Sequence, residues 1–173
     1  MNAADKYYII AKDNYPYQMD EALEALEYGL SHDPEHPGLL TLQGDIYFRD
    51  LEQFVQALEC YELALLSNPS FIPVYYSFLQ LALKLDMHTR VEKLIDAAKK
   101  TAGINPARIA YYQSLLYEKL NRYADAVNNL RLAEKYSQCK EEYAFIEKEI
   151  ERIEQKDKKL KEYKSSINII LTS

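Results

Sequence analysis

The feature that most constrains this chain is an internal period of 34 to 35 residues. Four segments fall on one template. Each holds a small or branched apolar residue, a second apolar residue four later, and a small residue three after that. They are Ala22, Leu26, Gly29; Ala57, Tyr61, Ala64; Val91, Ile95, Ala98; and Ala126, Leu130, Ala133. The leading positions step by 35, 34 and 35. A 4-then-3 spacing puts the three side chains on one stripe of a helix. The small members let a neighbouring helix approach closely. Five residues further on stand Pro34 and Pro69, with Gly103 and Gln138 in the corresponding places. Proline cannot continue a helix and pushes its predecessor to extended geometry, so it marks a stop.

A companion helix precedes each stripe. Leu40, Gly44 and Tyr47 stand at four- and three-residue intervals, as do Tyr75, Leu79 and Ala82, and Ala110, Ser114 and Tyr117. Each period therefore encodes a helical hairpin. The segment GDIYFRDLEQFVQALECYELALLSNP closely resembles a tetratricopeptide repeat, whose 34 residues run aromatic, leucine, glycine, tyrosine, then alanine, phenylalanine, alanine, proline. One extra residue separates its two helices. ADKYYIIAKDNYPYQMDEALEALEYGLSHDP fits the same pattern with Tyr7 or Tyr8 leading and Pro16 in the turn. The resemblance covers residues 3 to 138. It implies an all-α, right-handed superhelical solenoid of stacked antiparallel helix pairs, with repeats at 3–34, 37–69, 72–103 and 106–138. A charged segment follows, KEEYAFIEKEIERIEQKDKKLKEYK, with eight residues of each sign and a thin stripe of Tyr143, Ile146, Ile150, Ile153 and Leu160. Repeat arrays need a cap with a polar outer surface, so 139–164 reads as a capping helix. Its half beyond Glu154 has little to bury and is expected to project or fray. Residues 165–173, SSINIILTS, read as an irregular or strand-like tail.

The family resemblance implies a module for protein–protein interaction, an adaptor or scaffold whose inner face is lined by the first helix of each pair. Counting along the aligned helices, the inward side chains are Thr41, Asp45 and Phe48; Tyr76, Gln80 and Leu83; and Tyr111, Leu115 and Glu118. Tyr7 or Tyr8 contributes from the first repeat. Sixteen tyrosines and no tryptophan occur. A tyrosine gives large contact area and a hydroxyl at small entropy cost, which suits recognition. Co-chaperones of the family grip a peptide carboxylate with lysines and asparagines. The matching positions here carry Tyr76, Gln80 and Tyr111, with Arg108 the nearest base, so that mode is not expected. The expected ligand is an extended or helical protein segment with apolar anchors. The rival reading is self-association through 139–173, with Ile167 to Leu171 as the apolar element.

Charge sharpens this picture. The net charge is −6, and a nucleic-acid binder needs a dense basic footprint, so no nucleic-acid partner is expected. The acids are unevenly placed. Residues 18–62 hold eleven acids and one base, while 84–108 hold six bases and three acids. No stretch of about 18 apolar residues is present, and no basic segment followed by an apolar run opens the chain, so no membrane span or signal peptide is expected. Two lone cysteines, Cys60 and Cys139, form no disulfide framework and suit a reducing, cytoplasmic compartment.

Catalysis finds no footing. His32 and His36 are four apart, but Pro34 and Pro37 break the continuous helix that a metal-binding pair requires. His88 lies in a turn. Cys60 reads as a small buried hydrophobe, and Cys139 has no histidine nearby in sequence. No phosphate-binding or dinucleotide motif occurs. The expectation is no enzyme, no metal and no cofactor.

Overall fold

The computed structural model describes residues 2–137 and 139–172, with the side chains of all of these except Lys164 and 166–172. Gln138 and Ser173 lie outside the described residues, as do the side chains of Ile167 to Leu171. Among the described residues the chain forms α1 (Ala3–Asn14), α2 (Met19–His32), α3 (Pro37–Arg49), α4 (Phe54–Ser67), α5 (Ile72–Lys84), α6 (His88–Lys99), α7 (Pro106–Lys119), α8 (Tyr123–Lys135) and α9 (Lys140–Thr172). No strand appears among them.

Local chemistry sets the boundaries. The Asn2 side chain accepts from Asp5 N, and Asp5 answers through the Asn2 N–H, a reciprocal cap for α1. His36 caps α3 with its ring, Nδ1 accepting from Leu39 N at 3.2 Å. Asn105 caps α7 by accepting from Arg108 N. Prolines stand in the first turn of α3, α5 and α7, where a missing N–H costs nothing. The turns within the hairpins repeat as well. Glu52, Asp86 and Asn121 adopt φ of 52°, 54° and 58°, the left-handed conformation, at matching places in three successive repeats. The first hairpin turns differently, through a cis Tyr15–Pro16 bond.

Two compact units are present: Met1–Leu85 with Lys100–Gly103, and Asp86–Lys99 with Ile104–Ser173. In the first, the hairpins α1/α2 and α3/α4 are followed by α5. Ala4 and Ala11 of α1 and Ala25 and Leu26 of α2 close on Leu39, Leu42 and Ile46 of α3. Gly44 makes room for α4. A β-carbon there would lie 2.5 Å from the Tyr61 ring, which fills the space and donates its hydroxyl to Asp45 at 2.7 Å. Burial and the Asp45 charge push the Tyr61 phenol far up. Phe78 of α5 packs on that ring at 5.6 Å. α5 is apolar nearly all round, and Val74, Phe78, Leu79, Leu81 and Ala82 have lost essentially all contact with water. Burying a side chain of this size contributes about 1.5–3 kcal/mol.

In the second unit, α6 leads to the hairpin α7/α8 and then α9. Ala126, Leu130 and Ala133 of α8 pack with Ala107 and Ala110 of α7 and with Ile146 and Ile153 of α9. Ile150 and Leu160 sit half-buried at the edge of this cluster. α9 therefore packs further along its length than the charged sequence suggests. Leu160 lies within the half expected to project, and the packing is possible because its stripe repeats in step with the turns of the helix. The helix also continues to Thr172, through residues expected to be irregular or strand-like.

Candidate partner-binding faces

In the second unit, the first helix of the hairpin, α7, is flanked by α9. These helices begin at Pro106 and Lys140, 34 residues apart, so α9 stands where the first helix of a further repeat would. The contacts keep that register. Tyr111 packs edge-on against Phe145, 34 residues on, at 5.5 Å. Glu118 is held by Arg152, also 34 residues on, through two bonds of 2.7 and 2.6 Å. Lys156 adds a third at 2.9 Å, and Glu149 grips Arg152 from its own helix. Hydrogen bonds from the Arg152 guanidinium pull the Glu118 carboxyl down to about 2, although partial burial works the other way. The same carboxylates, Glu118 first, push Arg152 up. Glu118 is thus committed to α9. Leu115, between Tyr111 and Glu118, is half-buried.

At the start of these two helices lies an open recess of about 310 Å³. Ala107, Tyr111, Phe145 and Ile146 form its apolar lining, with Arg108 and Glu142 at the border. Phe145 is 48% exposed, a large ring left in contact with water beside a hollow. Desolvation and nearby Glu149 raise the Tyr111 phenol, so it stays a neutral donor.

In the first unit the expected inward residues separate into two groups. Thr41, Phe48 and Leu83 are buried. The Thr41 hydroxyl donates back to Pro37 O within its own helix, and Phe48 lies edge-on to Phe54 with Lys84 5.5 Å above it. Asp45, Tyr76 and Gln80 remain half-exposed. Gln80 accepts from Arg49 at 3.1 Å, which joins α3 to α5. Tyr8 of α1 is half-buried against the His36 ring at 5.5 Å, and burial, with the Asp45 charge, raises its phenol. Tyr7 instead turns to α2, stacked on Tyr28 and His32 at 5.7 and 5.9 Å. At this end the rings divide between two faces.

Sequence reasoning did not single out Phe145, Ile146 or Arg152 as face residues. The signal existed: carrying the 34-residue step one helix further from Tyr111 and Glu118 lands on Phe145 and Arg152. The other chemistry-bearing groups are absorbed by structure. His36 spends both nitrogens, Nδ1 on the α3 cap and Nε2 on Asp5 at 3.2 Å. Cys60 is buried, its Sγ donates to Gln43, and burial pushes the thiol up to about 11. His88 is the first residue of α6, its Nε2 3.8 Å from Asp86. No group of three or more His, Cys, Asp or Glu side chains able to hold a metal occurs among the described residues. Nor is any helix among them long and apolar enough to cross a membrane.

Helix hairpins recurring every 34 to 35 residues, small residues at their crossings and left-handed turns in register define the tetratricopeptide-type fold, and this chain has it. No protein-family model and no curated protein matches the chain. Among solved structures it is similar to MamA. For residues 41 to the end of MamA from Desulfovibrio magneticus RS-1, the TM-score is 0.62 at 19% identity, over 96% of this chain and 97% of that one. A MamA RS-1 double mutant (ArsTM) gives 0.62 at 18%, over 96% and 98%. A further MamA crystal structure gives 0.57 at 19%, over 91% and 94%. At such identities the likeness speaks to the fold.

Proposed function

We propose that this chain is a non-catalytic protein-interaction module that receives an extended or helical segment of a partner protein on the inner faces of its first helices. The observation that carries the reading is the α7/α9 recess. Tyr111 and Phe145 border an apolar hollow large enough for one aliphatic or aromatic side chain, and the arginine and carboxylate beside it would orient the partner's backbone or polar groups. Tyr8, Tyr76 and Gln80 supply polar, ring-bearing contacts on the first unit. Two lone thiols favour a reducing, cytoplasmic setting, and the acidic net charge favours protein over nucleic acid.

The test is affinity capture from the source lysate with wild type, Tyr111→Ala and Phe145→Ala, each checked for folding by thermal melting. The reading expects a protein retained by wild type and lost by both variants. It fails if the same partners are retained by all three. It also fails if wild type retains only further copies of itself, which would favour self-association.

A further inference from the structure

The residues that cap the first helices of the second, third and fourth repeats are His36, Phe71 and Asn105, at steps of 35 and 34. Phe71 makes no side-chain cap bond. Asn105 accepts from Arg108 N at 3.2 Å, and His36 Nδ1 accepts from Leu39 N at the same distance. An N-cap needs an acceptor, and asparagine supplies one at any pH. Histidine supplies one only while Nδ1 carries no proton. Because Leu39 N–H donates to Nδ1, the proton of the neutral ring sits on Nε2, and that N–H donates to Asp5 Oδ1 at 3.2 Å. The other Asp5 oxygen accepts from Asn2 N at 2.9 Å, within the cap of α1. One imidazole thus joins the N-terminal caps of α1 and α3. Its ring is buried, with Tyr8 packed on it at 5.5 Å. The Asn2 N–H first, and then His36, hold the Asp5 carboxyl below its ordinary range, so it stays an acceptor.

We propose that His36 is a proton-operated latch between the first two hairpins: neutral, it fastens the first turn of α3 to α1; protonated, it keeps Asp5 and releases α3. A proton on Nδ1 takes the lone pair that Leu39 N–H uses, and leaves two donors facing each other. It also sets a positive charge at the end of α3 where unpaired N–H groups already make the helix positive. Asp5 loses nothing, since Nε2–H donates to it in both forms of the ring. The groups around the ring come from three elements. α1 brings Asp5 and Tyr8, with Lys12 5.9 Å over the Tyr8 ring. The preceding loop brings Asp33, whose side chain accepts from Glu35 N, and Glu35 itself, which is exposed. From α3, Asp45 acts on Tyr8, which burial first and that charge second hold as a neutral phenol. Imidazole is the side chain whose unperturbed charge change falls between about pH 5 and 8. The released turn contains Gly38, a weak helix former that leans on its cap. It is also the seat of Tyr8: a β-carbon on Gly38 would come within 2.8 Å of that ring. Release therefore loosens the contact of α3 with α1, whatever binds to the inner faces.

NMR of the full chain, titrated from about pH 8 to about pH 5, tests the latch. At the upper end the His36 ring is expected as the Nε2–H tautomer. As that ring takes up its second proton, the Leu39 amide should lose hydrogen-exchange protection, after correction for the intrinsic effect of pH. The expected fall is about five- to tenfold, the fold-change that a lost cap corresponds to. The Arg108 amide, capped by Asn105, should hold its protection over the same range. In His36→Asn the Leu39 amide should hold it too. Four results would each overturn the latch: an Nδ1–H tautomer at the upper end, a ring still neutral at the lower end, a Leu39 amide unchanged once the ring is charged, or the same fall in His36→Asn. Should the variant melt out, the tautomer and the contrast between Leu39 and Arg108 in wild type still decide.

Discussion

α5 and α9 each follow a helical hairpin and touch its first helix, α3 and α7, through side chains, yet they are held by different physics. α5 buries Val74, Tyr75, Ser77, Phe78, Leu79, Leu81, Ala82 and Leu83. α9, more than twice as long, buries Ile146 and Ile153, with Ile150 and Leu160 half-covered. Where α5 meets α3, Gln80 accepts a hydrogen bond from Arg49. Where α9 meets α7, Glu118 collects Arg152 and Lys156. A helix inside a repeat array must satisfy neighbours on several sides and so becomes apolar nearly all round. α9 offers an apolar stripe on one side and charge elsewhere. Glu141, Lys148 and Glu151 stand 34 residues after Ala107, Ser114 and Tyr117, where α7 contributes to its hairpin, and all three are exposed. We read this polar seam as the outer surface of a cap.

Substitutions can break the comparison, and the largest effect belongs to α5. Phe78→Ala removes a ring with 1% exposure that packs on Tyr61, and should cost about 3–5 kcal/mol in urea unfolding. If the loss is no greater than that of a surface change, α5 is not the core helix its burial indicates. Next comes Gly44→Ala. The added methyl would stand 2.5 Å from a Tyr61 ring atom, and the ring is pinned by Phe78 and by its bond to Asp45. A cost of about 1–3 kcal/mol is expected. The alternative, that the ring swings aside, predicts near-neutral stability for Gly44→Ala in a Tyr61→Leu background and in wild type alike. The expected result is rescue by Tyr61→Leu alone.

Much of this fold is legible in sequence because its determinants are local and recur. The stripes at Ala22, Ala57, Val91 and Ala126 each declare a second helix, and Gly44 declares a close crossing before Tyr61 is known to fill it. Side-chain direction is less legible. Thr41, Phe48 and Leu83 share a helical phase with Asp45, Tyr76 and Gln80, yet the first group is buried and the second is not. Phase names the side of a helix, while exposure depends on what the neighbouring helix puts there, here Phe54 and Lys84 over Phe48. The role of Glu118 was hidden for the same reason. Its partners lie 34 and 38 residues away on a helix whose composition reads as solvated charge.

The smallest expected effect tests the other side of the comparison, the ionic attachment of α9. Glu118 begins near 4.5 in an unfolded chain and falls to about 2 in the folded one, mainly through its hydrogen bonds from Arg152. The unfolded state therefore binds the proton more readily between these values, and the contribution of Glu118 to stability is complete above about pH 4.5. It is lost as pH falls toward 2. Glu118→Gln should lower stability by about 0.5–1 kcal/mol at neutral pH, since the surrounding bases remain partly solvated and salt screens them. The gap between wild type and variant should close as melting is repeated from pH 5 down to pH 2. High salt at neutral pH should narrow it too. A gap that persists unchanged at low pH would mean Glu118 holds α9 by shape rather than charge. Packing, chiefly of Ile146 and Ile153 with Ile150, Leu160 and Phe145 beside them, would then account for the attachment, and the contrast with α5 would be one of area only.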